Sequence, residues 1–445
     1  MFRFFCSRFR PNLNDIIHRL DSIERQIIEL KAFRQAVCTM FPEVESAAVD
    51  LAKERENTNL NVDIISIDPL SSDEFVELNQ FYAHQIVQSI PLRNLAHIGN
   101  IDDLFGYART AHRECLVRIA QIVRALYHAS LGLSQMPSVQ QLCRCYEWSF
   151  HDVKTTKVPT NPDDAIKFDT LFRRLFLRHY NVSVLLSEGM QELGQREKWN
   201  EGSYTDKSLS ETFDELQLFF DNFCMSRVRL RFLVGNYIQL STQILNIQAK
   251  CCEKLTGPIH FDHTPGSFVG QLCRECSLVK LVECVIRSAS NGGEGPKIEL
   301  QLDSVSNHTF LGIPYIIFDI LSALFDDAIQ ANFSRQEKTG IPCSTIVVTV
   351  AQSEGNKQLS VRISDTAGGM PLHEAEHALR YWSIYRCTED MLKNSNTWIH
   401  SPIRLPYAYC AARVLGGDIS VISVDGYGTD RFLYLPSDGI ERIQF

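Results

Sequence analysis

The chain has 445 residues, of which 44% are apolar and 22% charged, enough to bury more than one substantial core. A formal net charge of −9, with no long Lys/Arg run, excludes the electrostatic footprint of a nucleic-acid binder. No apolar run approaches the roughly 18 residues that a bilayer span requires.

The first eleven residues, "MFRFFCSRFRP", interleave Arg3, Arg8 and Arg10 with phenylalanines, and no acid precedes Asp15. Arginines would break the apolar stretch of a secretory signal, so residues 1–11 read as a matrix-targeting segment. Ile16, Leu20, Ile23, Ile27 and Leu30 then recur at alternating spacings of four and three, the a/d seam of a helix docked on its own bundle or of a self-associating coiled coil. This N-terminal helix and its linker occupy residues 12–72.

Residues 73–255 are helical in period, with apolar residues three and four apart in "DDLFGYARTAHRECLVRIAQIVRALYHASLG" and in a second long run from Leu209, and with few Gly or Pro. After "LTGPIHFDHTPGS" the texture changes. "KIELQL", "TIVVTV", "LSVRIS", "DISVIS" and "RFLYLP" are strand-like and are interleaved with helical "IIFDILSALFDDAIQANF" and "LPYAYCAARVLGG". Such alternation predicts an α/β layer over residues 256–445. The fourteen cysteines are scattered and read as reduced thiols; the tight pair Cys273 and Cys276 lacks the second pair or the spaced histidines of a zinc site. No G-x-x-x-x-G-K-[ST] loop, H-E-x-x-H or G-x-S-x-G is present, and "NGGEGPK" has the wrong spacing for a phosphate loop.

Within the second half, a helix bearing "LFDDAIQAN" precedes a strand pair ending in Asp365, the turn "DTAGG" follows, and the chain closes through "DISVISVDGYGTDRFLYL". This order resembles the GHKL-type ATP-binding fold of gyrase, the ninety-kilodalton heat-shock chaperones and histidine kinases. Six ordered blocks narrow the resemblance: "MPSVQQLCRCYEWSF", "LRHYNVSVLLSEGMQEL", "FFDNFCMSRVRLRFL", "SDTAGGMPL", "LPYAYCAARVLGGD" and "GYGTD". With these, the chain resembles the mitochondrial 2-oxoacid dehydrogenase kinases, which regulate the pyruvate and branched-chain complexes. The sequence ends on "GIERIQF", which resembles the branched-chain type more than the pyruvate type, whose tail is longer.

The resemblance implies a helical bundle followed by a GHKL-type domain, ATP or ADP and Mg²⁺ as cofactors, the matrix as location, and a 2-oxoacid dehydrogenase complex as partner, through its lipoyl-bearing E2 and its E1 subunit. It also implies pairing with a second copy or a sibling kinase. Asp365 corresponds to the acceptor of the adenine amino group and Gly369 to a glycine that lets backbone approach the ring. Thr429 belongs to the same end of the site, and Ala367 replaces the first glycine of the triplet.

The departures fall on the phosphate end. Aligning the shared "LF" puts Ala323 where the family carries a Glu general base, and Asp327 where it carries the Asn that ligates Mg²⁺. Ala323, Asp326 and Asp327 share a helix face, and a carboxylate is a suitable hard ligand, so Asp327 is the candidate for Mg²⁺. Residues 400–404, "HSPIR", stand where the family has three alternating lid glycines, leaving Arg404 as a replacement charge for phosphate. His179, in "RHYNV", matches the histidine read as packing against the missing Glu. Two readings follow: a catalytically degenerate relative, a pseudokinase that regulates the complex or a sibling kinase, and an active kinase in which Asp326 and Asp327 take over from the Glu.

Overall fold

The computed structural model describes residues 73–88, 90–179, 181–197, 206–245, 267–290, 295–303, 309–353, 358–381 and 403–436. The proposed targeting segment, the N-terminal seam, the boundary near residue 255 and residues 382–402 of the lid region lie outside them.

The first half is helical: α1 (Asp73–Ala83), α2 (Leu92–Leu95), α3 (Ile101–Tyr127), α4 (Pro137–Thr155), α5 (Pro162–Arg178), α6 (Val182–Arg196) and α7 (Asp206–Leu245). Local chemistry sets several of these ends. Asn100 and Asn161 accept hydrogen bonds from the amides of Asp103 and Asp164, acids occupy both first turns, and Pro162 sits where no amide is needed. α3 packs on α1, α4 and α7, and α5 packs on α7. Aromatic side chains fill the space between them: the Tyr237 ring meets Phe168, Phe172 and Tyr107 with centroids 5.1, 5.2 and 6.4 Å away.

The second half adds β1 (Phe268–Val269), β2 (Leu272–Cys276), α8 (Leu278–Ser290), β3 (Ile298–Asp303), β4 (Phe310–Gly312), α9 (Pro314–Thr339), β5 (Ile346–Gln352), β6 (Gln358–Asp365), α10 (Leu372–Ala375), α11 (Arg404–Val414), β7 (Asp418–Val424) and β8 (Gly428–Pro436). One sheet runs β3-β5-β6-β8-β7, parallel between β3 and β5 and antiparallel elsewhere. The small antiparallel sheet β1-β2-β4 was not legible in the strand pattern. β2 carries a bulge between Cys273 and Cys276, which leaves Arg274 and Glu275 both exposed and destroys the alternation.

The five-stranded sheet packs its inner face on α9, which starts at Pro314 and ends at Gly340, held at φ 69° where a left-handed C-cap favours glycine. α11 packs on both α9 and α7. Bundle and mixed layer therefore share one compact unit, Asp68–Phe445. The chain is helix-rich with mixed sheets.

Candidate functional site

The site forms where β6 runs out beside β8, below α9. Register pairs Asp365 with Thr429, and both are buried. The turn after Asp365 folds over the β7–β8 hairpin. Its carboxylate Oδ1 accepts from the Ala367 amide at 2.8 Å, an Asx-type closure. Gly369 has φ 65°, and a Cβ there would stand 2.0 Å from the Val424 carbonyl oxygen, so only glycine seats the turn. Thr429 Oγ1 lies 2.9 Å from Ser423 Oγ, in the same hairpin.

The other Asp365 oxygen is engaged from inside the protein. Arg431 Nη1 donates to Asp365 Oδ2 at 2.5 Å, and Arg431 Nε donates to Asp327 Oδ2 at 2.6 Å. One guanidinium thus bridges the acid expected at the adenine and the acid expected at the metal. Arg431 is fully buried, Asp365 nearly so, and Asp327 is open on one side. Burial alone would pull the Arg431 pKa down, but Asp327 and Asp365 raise it above its usual value, so the charge stays. Arg431 Nη2 is buried without a hydrogen-bond partner among the described residues.

Arg431 is not among the residues that the sequence motifs single out. The signal available is alternation: on β8, Thr429, Arg431, Leu433 and Leu435 share the buried face, so an arginine there must find a partner inside.

The remaining candidates lie along α9 and α11. Ala323 is 3% exposed in the core and carries no proton-accepting group. Arg404, at the start of α11, forms an ion pair with Asp326. Both acids of the α9 pair therefore have arginine partners, Asp326 with Arg404 and Asp327 with Arg431. A cavity of about 150 Å³ adjoins them between α7, α9 and α11, lined among others by Arg231, Tyr315, Asp319, Arg404 and Tyr407. Asp319, one turn before Ala323, is open to solvent through this cavity but crowded by protein, and desolvation pushes its carboxyl up to about 6 against the pull of Arg231 and Arg404. Desolvation likewise lowers Arg404 to about 10, opposed by Asp319.

His179 lies at the end of α5. It caps that helix, shares a 2.9 Å hydrogen bond with Ser149 Oγ, stacks at 4.3 Å on Tyr146, and its carbonyl accepts from Arg227 Nη2 at 2.8 Å. Its hydrogen-bond and ring partners all belong to the bundle. Burial and the nearby Arg227, Arg178 and Arg231 hold its pKa well below the usual value, which leaves it neutral and structural.

These contacts also test the implied cofactors. Adenine recognition uses a carboxylate oxygen of Asp365, and each oxygen already accepts one hydrogen bond, from the Ala367 amide and from the Arg431 guanidinium, whose charge weakens the remaining acceptor sites. For Mg²⁺, Asp327 offers a carboxylate whose Oδ2 is paired with Arg431, and that guanidinium charge opposes a second cation beside it. No group of three or more His, Cys, Asp or Glu side chains suited to a metal ion occurs among the described residues. As folded, the site does not fit Mg²⁺ with an adenine nucleotide.

Comparison with known proteins gives the frame. Residues 89–273 match the family described as mitochondrial branched-chain alpha-ketoacid dehydrogenase kinase. The chain is 24% identical over 340 residues to the mitochondrial [pyruvate dehydrogenase (acetyl-transferring)] kinase of Arabidopsis thaliana, covering 74% of this chain and 84% of that one. It is 26% identical over 350 residues to isozyme 4 of that kinase from Rattus norvegicus, covering 75% and 76% of the two chains. For isozyme 1 of Homo sapiens the identity is 23% over 387 residues, covering 82% and 81%.

A helical bundle built onto a mixed sheet is consistent with the α plus α/β kinase class to which those relatives belong. Within that class the chain is similar, at modest identity, to the mitochondrial 2-oxoacid dehydrogenase kinases. No helix among the described residues is long and apolar enough to cross a membrane.

Proposed function

We propose that this protein is a catalytically degenerate kinase relative, a pseudokinase on a GHKL-type scaffold, that acts in the mitochondrial matrix by binding a 2-oxoacid dehydrogenase complex or a sibling kinase. The observation that carries the reading is the replacement of catalytic charge by internal charge. Position 323 is a buried alanine, and the acids that would have to compensate for it are ion-paired with Arg404 and Arg431. Asp326 and Asp327 in the role of the missing Glu would first have to give up these partners, which weighs against the active-kinase alternative. General-base assistance is typically worth about 10² to 10⁴ in rate, and unguided phosphate positioning adds to the loss. Scaffold retention by itself speaks only for binding.

The test has two arms. Tagged protein is recovered from matrix extracts beside an active family member, and purified protein is assayed for phosphate transfer to E1 from the pyruvate and branched-chain complexes. Expected are co-purification with lipoyl-bearing E2 or a sibling kinase, and a transfer rate at least a hundredfold below the active member. Transfer at a rate equal to that member's would overturn the reading, as would failure to recover either partner under conditions that recover the active member. Location is read by imaging: deletion of residues 1–11 is expected to abolish import, and a cytosolic signal from the full-length chain would contradict the matrix assignment.

A further inference from the structure

Arg431 does more than accompany the loss of a catalytic base. It approaches from β8, between the strand that ends in Asp365 and the helix that carries Asp327, and it reaches residues 66 and 104 positions away in sequence. An arginine fork is suited to this because its donors lie in one plane and satisfy two carboxylates at once. The third nitrogen, Nη2, is buried without a partner among the described residues, so there the side chain is fixed by the two acids and not by complete hydrogen bonding. A carboxylate pair gathered at the end of a sheet needs a cation; in a nucleotide site the cation arrives with the ligand, and here it is part of the chain.

We propose that Arg431 determines what this site accepts: it is a resident counter-ion that excludes an adenine nucleotide and its metal ion by occupying both of their acids, and its removal reopens the site. The inference rests on reading Asp365 and Asp327 as the base and metal ends of a nucleotide site, as proposed above. To bind, Mg·ADP must compete with a guanidinium already held by two carboxylates, one of them almost entirely buried. Removing the guanidinium leaves both acids bare, exposed to each other's charge and in want of a cation. Nucleotide affinity and metal dependence are therefore expected to appear together.

The test is calorimetry of the full chain with ADP, with Mg²⁺, and with both, for wild type, Arg431→Ala, Arg431→Lys and Arg431→Ala/Asp365→Asn. Wild type is expected to show weak ADP binding that Mg²⁺ does not improve. Arg431→Ala is expected to bind Mg·ADP at least tenfold more tightly, with the gain lost in the double variant. Arg431→Lys retains a charge at the position, so it serves should Arg431→Ala fail to fold; a compact ammonium does not fork across both acids, and an intermediate gain is expected. Mg·ADP binding by wild type as tight as by either variant would sink the proposal while leaving the nucleotide-site reading intact. Absence of binding in wild type and in both single variants would sink both, since the freed acids would then not belong to a nucleotide site. The wild-type arm stands alone: tight, Mg²⁺-dependent binding overturns the exclusion whatever the variants do.

Discussion

Replacing Asp365 by Asn separates a structural carboxylate from one held in reserve for a ligand. In a ligand-binding role the substitution would leave the unliganded protein about as stable as before. Here it removes the charge that faces Arg431 Nη1 at 2.5 Å between two side chains that are each 1% exposed. Stripping one partner from a buried pair costs about 3–5 kcal/mol, and because Arg431 keeps Asp327 the lower end, about 3 kcal/mol, is the figure to expect. Asp327→Asn leaves the buried partnership in place and removes a carboxylate that is 37% exposed, so solvent screening holds its cost to about 1 kcal/mol or less. At about 2 °C per kcal/mol for a unit of this size, Tm should fall by roughly 6 °C for Asp365→Asn and by roughly 2 °C or less for Asp327→Asn. Urea unfolding and thermal scans of nucleotide-free protein read both. Equal losses, the reverse order, or an Asp365→Asn protein within about 1 °C of wild type would show that the Arg431 bridge is not a structural charge pair.

His179 gives a pH signature. Its folded pKa lies well below the usual value of 6.5, so above that value it is neutral in folded and unfolded chains and contributes no pH dependence. Below it the unfolded chain binds the proton and the folded one does not, so stability falls as pH falls, by up to about 1.4 kcal/mol per pH unit until the folded pKa is reached. His179→Gln should flatten that limb, and an unchanged slope in urea unfolding between pH 6.5 and 5 would refute the assignment. Ala323→Glu alone is expected to recover less than a tenth of an active relative's rate on E1, because the new carboxylate enters a buried position beside a closed site; full recovery from that single change would show that the base was the only missing part.

Much of the fold can be read from local pattern, and the limits of that reading are equally physical. β5 alternates Ile346, Val348 and Val350 inward, and β6 does the same with Leu359, Val361 and Ile363, so β-branched and apolar residues at period two announce both strands. The sheet β1-β2-β4 escapes because its strands are short and its bulge puts two exposed residues in succession. The turn at Asp365 is legible for the same reason as the strands: its acid and glycines are adjacent. The Arg431 bridge is not, since it joins three elements and no spacing encodes which buried acid a buried arginine will find. The partners of His179 are illegible for a related reason. Its motif fixes a helix end but not the surface against which that end packs, and Tyr146, Ser149 and Arg227 decide that.

The bridge and the altered phosphate end explain one another. With Ala323 at the position proposed for the base and no glycine in residues 400–404, the proposed site keeps little to hold a triphosphate, yet Asp327 and Asp365 would still meet at the sheet end as uncompensated acids. Without a ligand to bring a cation, such a pair destabilises the fold, and an arginine on the inward face of β8 removes the penalty permanently. The unliganded state then becomes the stable one, which suits a partner-binding role that does not wait on nucleotide. Ligand linkage tests this without any mutation. A nucleotide present at about 1,000 times its Kd would contribute about 4.1 kcal/mol, worth roughly 8 °C in Tm at the sensitivity used above. With ADP and Mg²⁺ at millimolar concentration, wild type is expected to move by less than about 1 °C. A shift of several degrees that vanishes on chelation of Mg²⁺ would mean that the acids remain available to a metal ion, and that the guanidinium yields to it.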